Sequence, residues 1–257
     1  MEKQTVGFSI DLNPFSAQLQ GEIMADLTAL RVVLKSIEDK TFEGMSAYAP
    51  GNKFIHWAIN PMPDAEFLRA REIGKCLKAV VGSLQDFMDR LLAVIKLCED
   101  TRKTPITVTE PTPVDALLSE HFFVVLKKIS EDSSITVPKK IESLLADDAM
   151  AAVIQNYFDL RNGLEHHKGI AKKDRIATFK RISFIADSGK EIREILGPGI
   201  LNAGEGLAVR IVDEQISFKE GDAIALDYSQ MENIVLTIAL HVIPALTQAT
   251  MKKTNIV

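Results

Sequence analysis

The apolar stripe between Asp64 and Glu99 constrains this chain most. Ile73, Leu77, Val80, Leu84, Leu91 and Ile95 recur mostly at three- and four-residue spacing. That period lays them along one face of an amphipathic helix, and Asp64 stands where a side-chain oxygen caps the first turn. The pattern predicts a long helix over 65–99. A second stripe, Leu19, Ile23, Leu27, Leu30, Leu34 and Ile37, predicts a helix from Ser16 to about Asp39. Ahead of it, Val6, Phe8, Ile10 and Leu12 alternate as a short strand that Asn13-Pro14 breaks. Residues 41–63 hold the breakers Pro50, Gly51, Pro61 and Pro63 and are expected to be mostly loop, with Phe54, Ile55 and Trp57 packing inward.

Three more helices follow. Thr112-Pro113 marks the start of one that runs to about Ser130, because proline at the first helical position loses no needed hydrogen bond. Pro138 starts a short helix over Ile141, Leu144 and Leu145. Asp147 or Asp148 caps another, carrying Met150, Val153, Ile154, Tyr157, Leu160 and Leu164 toward Gly169. After residue 180 the period switches to two, in Ile182-Phe184-Ala186, Leu207-Val209-Ile211 and Ile216-Phe218, and Gly221-Asp222 supplies a turn. The GPG and GEG of 197–206 lack a strand-to-helix context for a phosphate loop and are expected to be turns. A last helix, 229–250, carries Ile234, Leu236, Ile238, Leu240 and Ile243, is apolar on much of its circumference and is expected at the centre of the core.

The expected fold is thus mainly α: a bundle of about five helices with a small antiparallel sheet inserted before the last. It forms a single domain over 1–257, with a strand and helix extension in 1–50 and the β insertion in 180–227. The chain is 257 residues long, 46% hydrophobic and 25% charged, with a net charge of -5, which describes a globular protein and excludes disordered, collagen-like and disulfide-scaffold classes. Cys76 and Cys98 lie on one predicted helix, too far apart for a disulfide, and are expected to be reduced, buried thiols. The N-terminus lacks the apolar region of a signal peptide. The apolar run Ile234–Leu246 is interrupted by His241 and Pro244 and is shorter than the roughly 20 residues that span a bilayer. A cytoplasmic protein with no membrane partner is expected.

One stretch carries chemistry. In YFDLRNGLEHHKG, residues 157–169, Arg161, Asn162 and His166 form R-N-x-x-x-H at the end of an apolar-faced helix. The motif resembles the signature of the HEPN (higher eukaryotes and prokaryotes nucleotide-binding) superfamily: an Arg, usually a polar residue, then a His after four to six intervening residues. A bulky apolar run before the Arg and a Gly-punctuated turn after the His agree with it. The resemblance covers the motif helix, the other helices only in pattern, and the first 50 residues and the sheet hardly at all. It implies a helical bundle whose motifs meet across a homodimer, acting as a metal-independent RNA endonuclease with no cofactor. It also implies a toxin or antiviral-defence effector, with an antitoxin or regulatory protein as partner.

The residue types suit that reaction. RNA carries its own nucleophile, the 2′-hydroxyl, so a protein must take its proton, protonate the leaving 5′-oxygen and stabilise the added negative charge. His166 can exchange protons near neutrality. Arg161 presents forked donors to phosphate oxygens. Asn162 is four residues before His166, on the same helix face, where its amide can orient the imidazole; His167 is an auxiliary group. Arg161 and His166 are separated by about 140° around a helix of 3.6 residues per turn, so an intact helix would spread them apart. Basic residues follow: Lys168, Lys172, Lys173, Arg175, Lys180 and Arg181 stand against Asp174 alone, so an acidic chain holds a local basic stretch suited to RNA.

Plainer assignments compete. Arg161 can pair with Glu165 four residues on, and His166 can be a helix C-terminal group favoured by the dipole. The basic run can be a solvated, partly helical connection. Two functional alternatives stand beside the nuclease: a non-catalytic HEPN-like module that binds a nucleotide or protein, and a dimeric helical scaffold. Metal chemistry at Glu165, His166 and His167 is not indicated, because the adjacent histidines point differently and no HExxH or Cys cluster accompanies them. His56, His121 and His241, flanked by apolar residues, are expected in the core.

Overall fold

Among the described residues there are six helices: α1 (Asn13–Glu38), α2 (Ala65–Lys103), α3 (Val114–Glu131), α4 (Val137–Leu144), α5 (Asp148–His166) and α6 (Tyr228–Thr254). The computed structural model describes residues 4–5, 10–39, 47–49, 53–55, 64–103, 107–108, 114–167, 169–172, 174–186, 191–192 and 207–254. Its strands are β1 (Gln4–Thr5), β2 (Ala47–Ala49), β3 (Lys53–Ile55), β4 (Thr107–Val108), β5 (Arg175–Ala186), β6 (Glu191–Ile192) and β7 (Leu207–Phe218). The fold is mainly α with a small antiparallel sheet, ordered β6-β5-β7, inserted before α6.

The stripe of α2 sets the arrangement. Ile73, Leu77, Val80, Leu84 and Leu91 are buried, as the spacing predicts, and Ile95 is half-buried. Leu19, Ile23, Leu27, Leu30 and Ile37 of α1 are buried in turn, Leu34 packs at the margin, and the two helices lie side by side in one core. α2 packs against each of the other helices, so the centre of the core belongs to it rather than to the last helix alone. Burial of apolar side chains at ~25 cal/mol per Å² is what holds so long a helix in place.

Local chemistry sets the ends. Asp147 caps α5, its carboxylate accepting from the amides of Ala149 at 3.0 Å and Met150 at 3.2 Å. Asp227 and Gln230 form a reciprocal capping box at α6, with bonds of 2.7 and 2.9 Å. Asn13-Pro14, expected to end a strand, also starts α1, ahead of the expected Ser16: Pro14 lies in the first turn, where a missing N–H is harmless. Ile10 and Leu12 of the expected strand are not in a strand, while 6–9 lie outside the described residues. The expected loop of 41–63 contains the β2–β3 hairpin, with Tyr48 opposite Phe54; His56, Trp57, Pro50, Gly51, Pro61 and Pro63 lie outside the described residues, as do the 197–206 glycines and Thr112-Pro113. β1 pairs with β4, through Gln4–Val108 and Thr5–Thr107.

In α6, Pro244 cannot donate to the carbonyl one turn back. The helix carries a π turn at Ile238–Val242, in which Ile243 N–H bonds Ile238 O. The carbonyl of Ala239 is thereby released and accepts from Gln20 Nε2 of α1 at 2.9 Å. The same turn rotates Leu240, expected on the apolar face, outward to 60% exposure. α6 is long and apolar enough to cross a membrane, and 56% of its most apolar window is buried inside the bundle. His121 is exposed on α3 and His241 is half-buried, so neither is the core histidine expected from its apolar neighbours.

Both cysteines are buried free thiols on α2. A second polar pair is also inside: Lys140 Nζ of α4 lies 2.6 Å from Asp89 Oδ1 of α2, each side chain 4% exposed.

Candidate functional site at the end of α5

α5 is held on two sides before it reaches its motif. Toward the sheet, the Tyr157 ring stacks on Phe179 of β5, centroids 5.5 Å apart and nearly parallel. The Tyr157 hydroxyl is buried beside Thr237 and the Lys180 carbonyl, and burial drives its pKa well above the usual phenol value. Thr237 Oγ1 itself donates to the Lys180 carbonyl, tying α6 to β5. Toward the segment that leads into α6, Gly163 is buried so closely against Ile224 that a Cβ there would collide with its Cδ1.

The helix runs unbroken through His166, with His167 as its C-cap. The Gly163 carbonyl accepts from the amides of His167 at 3.2 Å and Gly169 at 3.1 Å. Gly169 has a φ of 75°, in the left-handed region that favours glycine. Its carbonyl then accepts from Ile224 N–H at 2.6 Å, and Ala171 exchanges bonds of 2.9 Å with Asp222 and Gly221. Asp174 completes this stitch, accepting from Lys219 Nζ at 2.8 Å and from the Glu220 amide at 2.9 Å. Those two bonds hold its carboxyl below the usual range.

The intact helix places Arg161 and His166 on different azimuths, as the spacing requires. Arg161 turns inward. Its Nη1 donates to Gln85 Oε1 of α2 at 2.9 Å, and its Nε lies 3.4 Å from Glu165 Oε1. His166 turns outward, its side chain 69% exposed, with Nε2 4.0 Å from Glu165 Oε2. The carboxylate of Glu165 therefore stands between the two motif residues, one oxygen toward each. Asn162 and His167 are exposed on the same end of the helix.

The basic stretch is arranged differently from either expectation. Its described residues beyond His167 are not helical: β5 begins at Arg175, five residues ahead of the expected boundary of the insertion. Lys180 lies 2.6 Å from Asp213, its register partner on β7, and Arg181 Nε lies 3.4 Å from Glu214. Opposite charges facing across two strands neutralise one another, so the positive field that the sequence suggests is reduced along the ribbon. Lys172 is exposed in the turn before β5. Arg175 pairs with Phe218 in the ladder. Lys168 and Lys173 lie outside the described residues.

Gln85 and Glu165 are the site residues that the motif does not name. Glu165 was legible as the i,i+4 partner of Arg161. Gln85 had no signal, since it comes from another helix 76 residues away in sequence. Among the described residues no cluster of His, Cys, Asp and Glu is suited to hold a metal ion. The small groove of about 100 Å³ between α1 and α2, lined by Gln18, Glu22, Asp86 and Arg90, is built from none of the motif residues.

No family model matches the chain, and no curated protein and no solved structure is significantly similar to it. The fold and the site define a mainly helical protein with a small antiparallel sheet and an Arg-Asn-His motif at the end of one bundled helix.

Proposed function

We propose that the end of α5 is a metal-independent RNA-cleaving site of HEPN type, working in a cytoplasmic homodimer. The observation that carries this is His166: an imidazole presented to solvent at a helix C-terminus, little more than one helical turn from an arginine held by a second helix. His166 takes the proton from the 2′-hydroxyl, and the 2′-oxygen then forms a bond to phosphorus while the bond to the 5′-oxygen breaks. A second His166, from the partner copy, gives the leaving 5′-oxygen its proton. The products are a 2′,3′-cyclic phosphate and a free 5′-hydroxyl, so neither water nor metal enters the step. Arg161 binds the phosphate oxygens as charge builds on them, Asn162 orients the imidazole, and Lys172 guides the strand. By its HEPN resemblance such an enzyme acts as a toxin or defence effector, restrained by an antitoxin or regulatory protein.

Labelled RNA incubated in EDTA with wild type, His166→Ala and Arg161→Ala tests this. General acid–base catalysis contributes about 10²–10⁴-fold, so His166→Ala is expected to lose cleavage by that factor. Equal activity in wild type and His166→Ala would remove His166 from the chemistry.

One observation favours a second reading, a non-catalytic module that binds a nucleotide or protein. Arg161 is already engaged by Gln85 and Glu165 within the chain. RNA binding without cleavage by every variant would select it.

A further inference from the structure

Resting on the reading above, we propose that Glu165 is a built-in competitor that occupies the oxyanion site of Arg161 and His166 and must withdraw before a phosphate binds. Three observations converge on it. The two oxygens of Glu165 address the two motif residues separately, Oε1 at 3.4 Å from Arg161 Nε and Oε2 at 4.0 Å from His166 Nε2. A phosphate bridging an arginine and a histidine would use two oxygens in the same way.

The arginine is also left incompletely satisfied. Its Nε is buried from water, yet it makes no hydrogen bond, although Glu165 Oε1 lies 3.4 Å away. A buried donor without a partner is unfavourable, so a mobile oxyanion that approaches more closely gains what Glu165 leaves unmade. Gln85 meanwhile fixes the other side of the guanidinium at 2.9 Å, so the donor stays aimed when the carboxylate leaves.

The contact is shielded as well. Arg161 and Glu165 side chains are 23% and 29% exposed, which limits screening by salt relative to the surface pairs elsewhere on the bundle. Being i,i+4 on one helix, Glu165 is always present at high local concentration. It can swing outward by a rotamer change at the exposed helix end without disturbing the backbone. The ligand class is a phosphate oxyanion, free or within a nucleic-acid backbone.

The test uses full-length protein and inorganic phosphate as the probe. The Nε–Hε signal of Arg161, assigned by its loss in Arg161→Lys, is followed by NMR through a phosphate titration. Glu165→Gln is expected to bind phosphate about three- to tenfold more tightly at this signal than wild type. Glu142→Gln, which removes the same charge from an exposed position on α4, is expected to match wild type. Equal affinity in Glu165→Gln and wild type overturns the proposal, as does an equal gain in Glu142→Gln. Cleavage of labelled RNA in EDTA by the same proteins separates the two claims. A phosphate gain with no cleavage in any variant retains the competitor and removes the nuclease; equal cleavage by wild type and Glu165→Gln without a phosphate gain does the reverse.

Discussion

Replacing Lys140 by Met leaves Asp89 as a buried carboxylate with nothing to neutralise it. In the native protein the two are 2.6 Å apart and each is 4% exposed. A surface pair at that distance is worth about 0–1 kcal/mol, but here removing one partner strands the other in the core, at a cost of about 3–5 kcal/mol. For a chain of this size each kcal/mol moves the melting temperature by roughly 2–4 °C, so the expected drop is about 6–20 °C. Replacing both residues, Asp89→Leu with Lys140→Met, removes the stranded charge and is expected to be neutral or to stabilise by about 1–4 kcal/mol. The pH dependence has a defined sign. Burial raises the Asp89 pKa, and Lys140 lowers it; without the lysine the carboxyl rises further and takes up a proton. A raised folded-state pKa contributes stability that is complete below the unfolded value, about 3.9, and is lost as pH rises through the folded value. Lys140→Met should therefore recover part of its lost stability as pH falls from 7.5 toward 5. Urea unfolding at the two pH values measures this. A loss under about 1 kcal/mol in Lys140→Met, or a double variant as weak as the two single losses added, would show that Asp89 is not stranded by loss of its lysine.

Three further outcomes follow from the packing. The Cys76 thiol is pushed up to about 12 by burial and Cys98 is raised by the same cause, so iodoacetamide at pH 8 should leave both intact in the native protein and alkylate both in urea. Gly163→Ala forces a methyl against Ile224 and should cost about 1–3 kcal/mol, with Ile224→Val restoring most of it in the double variant; equal melting temperatures for wild type and Gly163→Ala would show that the contact relaxes freely. The Asp174 carboxyl is held low by Lys219 and the Glu220 amide, so its contribution is present above the unfolded value of about 3.9 and disappears as pH falls through the lower folded value. The Glu220 amide signal should accordingly titrate with a midpoint below about 3.9, and Asp174→Asn should abolish that titration.

The helices were legible because their information is local. The stripes of α1 and α2 and the cap at Asp147 are properties of contiguous residues, and the structure returns them almost unchanged. What was missed depended on distant partners or on a single backbone adjustment. Leu240 matches the apolar period of the last helix, but the π turn before Pro244 rotates it outward. Lys180 and Arg181 looked like a basic run because the acids that face them, Asp213 and Glu214, are over 30 residues later in the chain. At the site, the motif named Arg161 and His166 and the spacing showed that a helix would separate them. The pairing of Glu165 with Arg161 was legible as an i,i+4 contact on one helix, whereas the brace from Gln85, on another helix, required the tertiary arrangement.

In the proposed reaction His166 cleaves RNA through the 2′-hydroxyl without a metal. Mass spectrometry of the products formed from a defined RNA in EDTA tests it most directly. Wild type should yield fragments ending in a 2′,3′-cyclic phosphate paired with 5′-hydroxyl ends, and His166→Ala of unchanged melting temperature should yield about 10²–10⁴-fold fewer. Identical products in identical amounts from both proteins, or intact RNA with the wild type, would contradict it.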